Sequence, residues 1–310
     1  MLHVAYCFDK NYRQHFGAAV TSLLSNGGHA GREMVVHVIS DEFDEALASK
    51  LVALRSRFQV TIKEYPLDGD QLAKINALSH DPIAKHLSHA AYYRMWLVEL
   101  LPADVSRVLY LDSDTIVQKP IAELYDLPLD GYAAAGVEDD NKKYLAIHNI
   151  DLYLNSGVLL LNLDYWRQHQ SLARCLQWLG GNPGKNYLGD QCVINAALAG
   201  SLKAVEPHWN HYVTPGRPLE TIAEAPILHY ITGKKPWQAW YETERAKPYW
   251  QYLNLSPWRG ASAEPPRTVA ELYKLAQLYH TGGDLPRAVA AYRRVIELQA
   301  RAIQRLTASR

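Results

Sequence analysis

Arg107-Val108-Leu109-Tyr110-Leu111-Asp112-Ser113-Asp114-Thr115 is an apolar run that ends in two carboxylates one residue apart. Its Val, Leu and Tyr content is that of a buried strand. Asp is rarely buried without a partner, and an unpaired buried carboxylate is costly enough to be neutralised instead. An extended chain alternates its side chains, so Asp112 and Asp114 are expected on one side with Ser113 turned away. Two oxygens converging at the carboxyl end of a strand suit a hard divalent cation. That end is also where open α/β sheets bind ligands. A solvated turn is the competing reading of Asp-Ser-Asp, since both residue types favour turns.

Upstream of this stretch, strands are expected at Leu2 to Phe8, Glu33 to Ser40 and Val60 to Tyr65. Helical patterns lie around His15 to Ser25, Asp44 to Arg57, Gln71 to Asn76 and Ala90 to Leu100. The alternation predicts an α/β fold, a mixed and mostly parallel sheet with helices on both faces. Downstream, strands are expected at Tyr132 to Val137, Asn155 to Leu163, Leu202 to Val205 and Ile227 to His229, with a helix at Asp190 to Ala199. Gly260-Ala-Ser-Ala-Glu-Pro-Pro266 reads as a linker. The tail then forms a helical hairpin from Thr268 to about Ala300. Leu272, Leu275, Ala276 and Tyr279 share one face, Gly282-Gly283-Asp284 breaks the chain, and Ala288, Tyr292 and Val295 continue the apolar face. It resembles a single tetratricopeptide repeat, which cannot cover its own apolar side and is expected to pack on the rest of the chain or on a partner. The expected organisation is a catalytic unit over 1–260 and a hairpin over 267–310.

With 32 basic and 32 acidic residues, the chain has no overall charge to draw it to nucleic acid. The 20 Tyr and 8 Trp against 4 Phe favour rings with a polar handle, suited to sugars and wet interfaces. Cys7, Cys175 and Cys192 have no metal-ligand spacing and cannot all pair, which fits a reduced, cytoplasmic chain. No signal peptide or membrane-spanning run is expected.

Four further segments carry polar groups at the expected ligand edge. Asp9-Lys10-Asn11-Tyr12 follows the first strand, where it can hold a base and ribose. Arg94, in Ser88-His-Ala-Ala-Tyr-Tyr-Arg94-Met95, sits on an otherwise apolar helix and needs an anion, carboxylate or phosphate. Asn155-Ser156-Gly157 opens an apolar strand, and Gly189-Asp190-Gln191 precedes a helix, where Asp190 can be an N-cap and nothing more.

Together these segments resemble glycosyltransferase family 8, retaining enzymes that include bacterial lipopolysaccharide galactosyl- and glucosyltransferases and, more distantly, glycogenin. The resemblance runs from about Leu2 to Trp237. It rests on Tyr93-Arg94, Tyr-Leu-Asp112-Ser-Asp114-Thr-Ile-Val, Asn155-Ser-Gly-Val-Leu-Leu-Leu-Asn, Asp190-Gln191 and His229-Tyr-Ile-Thr-Gly-Lys-Lys235-Pro-Trp237. The spacing of His229 to Lys235-Pro-Trp is the most specific element.

The resemblance implies a nucleotide-diphospho-sugar transferase (GT-A) fold and transfer of glucose or galactose from a UDP-sugar to a saccharide acceptor such as lipopolysaccharide. It implies that Asp112, Asp114 and His229 bind Mn²⁺ or Mg²⁺. Donor contacts are implied for Tyr6, Asp9, Asn11, Arg94, Asp112, Ser113, Asp139, Asn155, Asp190, Gly233 and Lys235, with Asp190 and Gln191 the catalytic candidates. Gln191 is expected beneath the anomeric carbon while Asp190 and Asn155 hold donor-sugar hydroxyls. Two departures from the family pattern stand out. Thr232 occupies the place of the usual Gly, which comes one later as Gly233, and Glu138 and Asp140 flank Asp139 closely enough to compete for its role. The aromatic and basic segment 237–259 is similar to the membrane-contacting tails of the lipopolysaccharide enzymes, though a wrap over the sheet explains it equally well. A protein acceptor, or an inactive sugar-nucleotide-binding scaffold, is the alternative function, and the hairpin is a candidate for self-association or a protein partner.

Overall fold

The computed structural model describes residues 1–28, 31–78, 89–185 and 187–308. Ser88 lies outside them. Its central sheet has seven strands, β1 (Leu2–Phe8), β2 (Met34–Ser40), β3 (Thr61–Pro66), β4 (Arg107–Leu111), β6 (Ala134–Glu138), β7 (Leu154–Asn162) and β8 (Leu202–Val205). Their order is β3-β2-β1-β4-β7-β6-β8. All neighbours are parallel except β7, which runs antiparallel to both β4 and β6. A second, three-stranded sheet joins β5 (Thr115–Val117), β9 (His211–Tyr212) and β10 (Ile227–His229), with β10 central.

Alternation along β1 feeds two cores. Val4, Tyr6 and Phe8 face one, with Phe16, Val20 and Leu23 of α1 (Arg13–Asn26) and Leu47, Leu51 and Leu54 of α2 (Glu45–Phe58). Ala5 and Cys7 face the other. That second layer holds Ile75 of α3 (Gly69–Leu78), Leu172, Cys175 and Leu179 of α4 (Ser171–Gly181), and Val193 and Ile194 of α5 (Asp190–Ala197). Each large apolar side chain so buried contributes about 1.5–3 kcal/mol.

The run expected as a helix from Ala90 is instead a 3₁₀ stretch, His89–Trp96, with one α turn after it. Ala90, Tyr92, Tyr93, Met95 and Trp96 are all buried. A segment apolar on every side carries no periodicity to distinguish the two helix types, and the tighter winding delivers Arg94 to its carboxylates.

The segment 237–259 wraps over the sheet. Trp237, Tyr249, Tyr252 and Trp258 are buried, and Tyr249, Tyr252 and Leu253 of α6 (Thr243–Leu255) join the first core. His15 of α1 lies flat on Trp237, ring centroids 3.5 Å apart, and bonds Tyr249 Oη at 2.8 Å. These rings are therefore interior rather than available to a lipid headgroup.

The tail forms α7 (Val269–Thr281) and α8 (Leu285–Ala308). Thr268 and Glu271 cap α7 reciprocally, Glu271 N donating to Thr268 Oγ1 at 3.2 Å and Thr268 N to Glu271 Oε2 at 2.9 Å. Ala276, Ala288, Ala291 and Val295 bury the seam. α8 runs past the expected end near Ala300 to Ala308. Among the described residues no helix is long and apolar enough to cross a membrane, and the three cysteines are buried and unpaired.

Candidate functional site

The carboxyl ends of β1, β4, β6 and β10 open into one cleft of about 550 Å³. Because β7 is antiparallel to β4, with Leu111 opposite Val158, its first residues lie at the same edge. Asp9, Asn11, Arg94, Asp112, Ser113, Asp114, Asp139, Asn155, Asp190, Gln191, His229 and Lys235 all line this cleft. Two expected residues do not. Tyr6 points the other way along β1, its ring edge-on to Phe16 and its hydroxyl buried in the core. Gly233 sits in the exposed loop between His229 and Lys235, where its carbonyl accepts from Gln238 Nε2.

Asp112-Ser113-Asp114 is a turn that lines the cleft. β4 ends at Leu111, and Thr115 N donates back to Asp112 O at 3.1 Å. The two carboxylates converge through this turn rather than by strand alternation, and Ser113 is buried too, its Oγ lacking a hydrogen bond. The turn leads straight into β5. Since β5 pairs with β10, Thr115 faces His229 and Tyr230 N donates to Asp114 O at 3.1 Å.

Each of the three groups has one atom anchored and another facing its neighbours. Asp112 Oδ1 accepts from Arg94 Nη2 at 2.9 Å and Tyr110 Oη at 2.6 Å, leaving Oδ2 3.7 Å from His229 Nε2. Asp114 Oδ2 accepts from Lys235 Nζ at 2.6 Å; its Oδ1 is buried, without a hydrogen-bond partner among the described residues, 3.2 Å from His229 Nε2. His229 Nδ1 bonds Asn210 Oδ1 at 2.9 Å. An amide oxygen only accepts, so Nδ1 carries a proton, and Nε2 is the nitrogen left to offer a lone pair to a cation. The three ligand atoms lie within 4.8 Å of one another. Two carboxylate oxygens and an imidazole lone pair form a donor set that fits a divalent cation.

Gly157 makes room for them. A Cβ there would stand 2.2 Å from His229 Cε1 and 2.6 Å from Asp112 Oδ2.

Arg94 organises the far side. Its Nη2 holds Asp112, its Nη1 donates to Ser156 O at 2.5 Å, and its Nε lies 3.0 Å from Asp190 Oδ2. The Nε hydrogen goes to Ala91 O, so the contact with Asp190 is one of charge. Burial opposes the guanidinium's charge, but Asp112 and Asp190 outweigh it and keep Arg94 protonated. The anion that Arg94 requires is thus supplied by the protein. Burial lifts the Asp190 carboxyl to about 6 against the opposing pull of Arg94, whose charge is shared with Asp112. Burial also acts to raise Asp114, but Lys235 and His229 together hold its carboxyl well below the usual range. Asp190 is the first residue of α5 rather than its cap. The cap position is Gly189, whose φ of +58° lies where a Cβ is strained.

Gln191 closes the floor. Its Oε1 accepts from Ser156 N at 3.0 Å and Asn155 Nδ2 at 3.2 Å, while its Nε2 donates to Asp139 Oδ2 at 3.2 Å. Glu138 and Asp140 turn outward to Lys142 and Arg217, each at close range, so Asp139 alone of the three faces the cleft.

The sequence reading missed Asn210 and Tyr110. Asn210 is buried; besides accepting from His229 Nδ1 through its Oδ1, it donates from Nδ2 to Asn155 Oδ1 at 2.9 Å. It thereby joins the metal-type cluster to the Asn155–Gln191–Asp139 network. Trp209-Asn210 carries no motif, and only the fold brings it to His229. Tyr110 was read as strand core, yet its hydroxyl bonds Asp112 and its ring lies 4.2 Å from the Arg94 guanidinium carbon. A polar-handled ring two residues before a carboxylate was the one available signal.

A model of glycosyl transferase family 8 matches residues 3–241. General stress protein A of Bacillus subtilis is 27% identical over 278 residues, which cover 83% of this chain and 95% of that protein. Lipopolysaccharide 1,2-glucosyltransferase of Escherichia coli K12 is 28% identical over 290 residues, 88% and 83% of the two chains. Lipopolysaccharide 1,3-galactosyltransferase of Salmonella typhimurium is 25% identical over 303 residues, 91% and 88%. Among solved structures, the galactosyltransferase LgtC in complex with donor and acceptor sugar analogs has a TM-score of 0.68 at 21% identity, covering 83% of this chain and 96% of that one. That likeness is one of fold, and it is the mixed, mostly parallel GT-A sheet expected. With the family model spanning most of the chain and the cleft at its expected edge, the chain belongs to glycosyl transferase family 8 and is an enzyme of sugar transfer.

Proposed function

We propose that the chain transfers a hexose, glucose or galactose, from a UDP-sugar to a saccharide acceptor, with retention and with Mn²⁺ as the preferred cation. One observation carries this reading: Asp112 Oδ2, Asp114 Oδ1 and the His229 Nε2 lone pair converge, each on a side chain whose other polar atom is fixed by the protein. A scaffold that only bound sugar would have no need of so complete a set. A bound cation supplies a Lewis acid for the charge that develops on departing UDP. The relatives' names support a hexose donor and a cell-surface saccharide acceptor.

The chain's own residues divide the remaining work. Asp9 and Asn11, at the end of β1, face the nucleoside. Lys235 fixes Asp114 and adds a compact positive charge beside the phosphates. Asp190 and Asn155 hold donor-sugar hydroxyls, and Asp139 fixes the Gln191 amide. The Asp190 side chain is only 4% exposed and held against Arg94, which disfavours it as an attacking nucleophile. Front-face substitution accords better with that burial. The acceptor hydroxyl adds to the anomeric carbon on the face from which UDP leaves, and its proton passes to a UDP phosphate oxygen. Gln191 Oε1 then serves to stabilise positive charge at the anomeric carbon. The proposed division of labour places this chemistry in 1–260, with the hairpin over 267–310 handling what comes to it.

Peripheral membrane contact is assigned to α8. Leu285, Val289, Ile296 and Ile303 form an exposed stripe, with Arg293, Arg294, Arg301 and Arg305 around the rest of the helix. Flotation with anionic vesicles tests this, and Ile296→Glu with Ile303→Glu should abolish it.

The central test is hydrolysis of UDP-glucose and UDP-galactose without acceptor, with Mn²⁺ and then with chelator. Metal-dependent release of UDP from one donor, abolished in His229→Ala, is expected. Hydrolysis indifferent to chelator, or to loss of His229, would refute the proposal.

A further inference from the structure

A second cleft, of about 450 Å³, lies where the hairpin meets the rest of the chain. One wall is a single face of α7, because Lys274, Gln277, Leu278 and Thr281 recur at the i, i+3, i+4, i+7 spacing. The opposite wall is Trp240 and Tyr241, both nine-tenths or more buried. Indole and phenol faces opposite amide and hydroxyl groups can take both the C–H face and the hydroxyls of a sugar ring.

The charge is one-sided. Lys234, Arg245 and Lys274 line the cleft against a single carboxylate, Glu242. Glu242 is already engaged by Arg245 Nε at 2.7 Å. Arg245 is 6% exposed. Its Nη2 donates to Arg217 O at 2.7 Å, and its Nη1 is buried with no hydrogen-bond partner among the described residues. A buried guanidinium donor left unmatched is expensive. With Glu242 already neutralised by Arg245, the ammonium groups of Lys234 and Lys274 leave the cleft net positive, which suits an anion.

Sequence-adjacent residues line the two clefts. Lys234 precedes Lys235, which holds Asp114, and Arg217, whose carbonyl holds Arg245, pairs with Asp140 beside Asp139. A saccharide in the second cleft can therefore extend toward the first.

We propose that the cleft between Trp240–Tyr241 and α7 docks the acidic part of the acceptor saccharide, a sugar bearing phosphate or carboxylate, away from the hydroxyl that receives the transferred hexose. This rests on reading the first cleft as the donor site. Binding energy gathered at such a distance orients the reacting hydroxyl, and it gives the hairpin a function at the acceptor.

The test is a glycan array carrying phosphorylated, uronic-acid and neutral oligosaccharides, probed with the full chain in saturating UDP and Mn²⁺. UDP affinity is measured on the same preparation by calorimetry. Signal concentrated on the phosphorylated or carboxylated glycans, and lowered at least about tenfold by Lys274→Glu on the exposed face of α7, is expected; a tenfold loss corresponds to about 1.4 kcal/mol. Trp240→Ala should weaken the same signals. Equal binding to neutral and acidic glycans, no binding by protein that takes UDP, or signals indifferent to Lys274→Glu would each overturn the proposal. Preference for acidic glycans through Lys274 in protein that ignores UDP would sink the donor reading and the acceptor role with it, leaving the cleft as a binder of acidic glycans.

Discussion

Gly157→Ala isolates the geometry on which the proposed cation site depends. Its backbone lies outside the left-handed region, so alanine adds a methyl group without backbone strain. The methyl would stand 2.2 Å from His229 Cε1, where ordinary contact begins at 3.4 Å, so the imidazole must withdraw by about 1.2 Å. It has little freedom to do so, because Nδ1 is held by Asn210 and β10 is clamped between β5 and β9. Asp112 is equally constrained by Arg94 and Tyr110. Metal–ligand distances tolerate only about 0.2 Å, and the displacement is several times that.

Mn²⁺ affinity by calorimetry is expected to fall at least about 100-fold, about 2.7 kcal/mol. The metal-free protein loses about 1–3 kcal/mol to overpacking. Gly136→Ala, in the neighbouring strand, is the control. Its methyl would meet Leu159 Cδ2 at 2.8 Å and Val158 O at 3.1 Å, with no candidate ligand atom among its nearest contacts, and should cost similar stability while leaving Mn²⁺ affinity alone. Should Gly157→Ala bind Mn²⁺ within about threefold of the parent, less than about 0.7 kcal/mol away, convergence of these side chains is not what holds the cation.

Three further outcomes follow from the same contacts. Asn210→Leu removes the acceptor for the His229 Nδ1 proton, and Mn²⁺ affinity should drop about 10–100-fold; an unaltered titration would show that the tautomer needs no fixing. Asp190, raised to about 6, keeps a proton in the folded chain that the unfolded chain releases from 3.8 upward, so its contribution to stability falls as pH climbs through that window. In its proposed role the ionised form accepts from sugar hydroxyls, so kcat/KM should rise through pH 6. Asp190→Asn should flatten both trends, and an acid limb surviving in that variant would trace to another group. Gln191→Ala should lower kcat about 10²-fold with donor affinity intact, and an unchanged kcat removes the amide from the chemistry.

The chain's sequence goes far toward its own fold because strand composition, turn residues and helix period are local. β1, β2, β4 and α2 lie within a residue or two of where those patterns put them, with Asp44 capping α2 as its type suggests. Local pattern failed where the cause was distant. The His89–Trp96 segment is buried on most sides, Arg94 included, so its 3₁₀ winding answers to tertiary demands. The resemblance implies a donor contact for Tyr6, yet strand parity turns its side chain into the core with Phe16.

What residues 107–115 and their companions determine alone is chemistry: two carboxylates after a buried strand, an arginine needing an anion, a histidine spaced from Lys-Pro-Trp. What they cannot determine is the meeting of Asp114 and His229, which lie 115 positions apart in sequence. That meeting depends on β5 pairing with β10, on an amide from Asn210 orienting the imidazole, and on a missing side chain at Gly157. Each is a contact between segments with no local signal for the other, since hydrogen-bond partners and excluded volume exist only once the chain has folded.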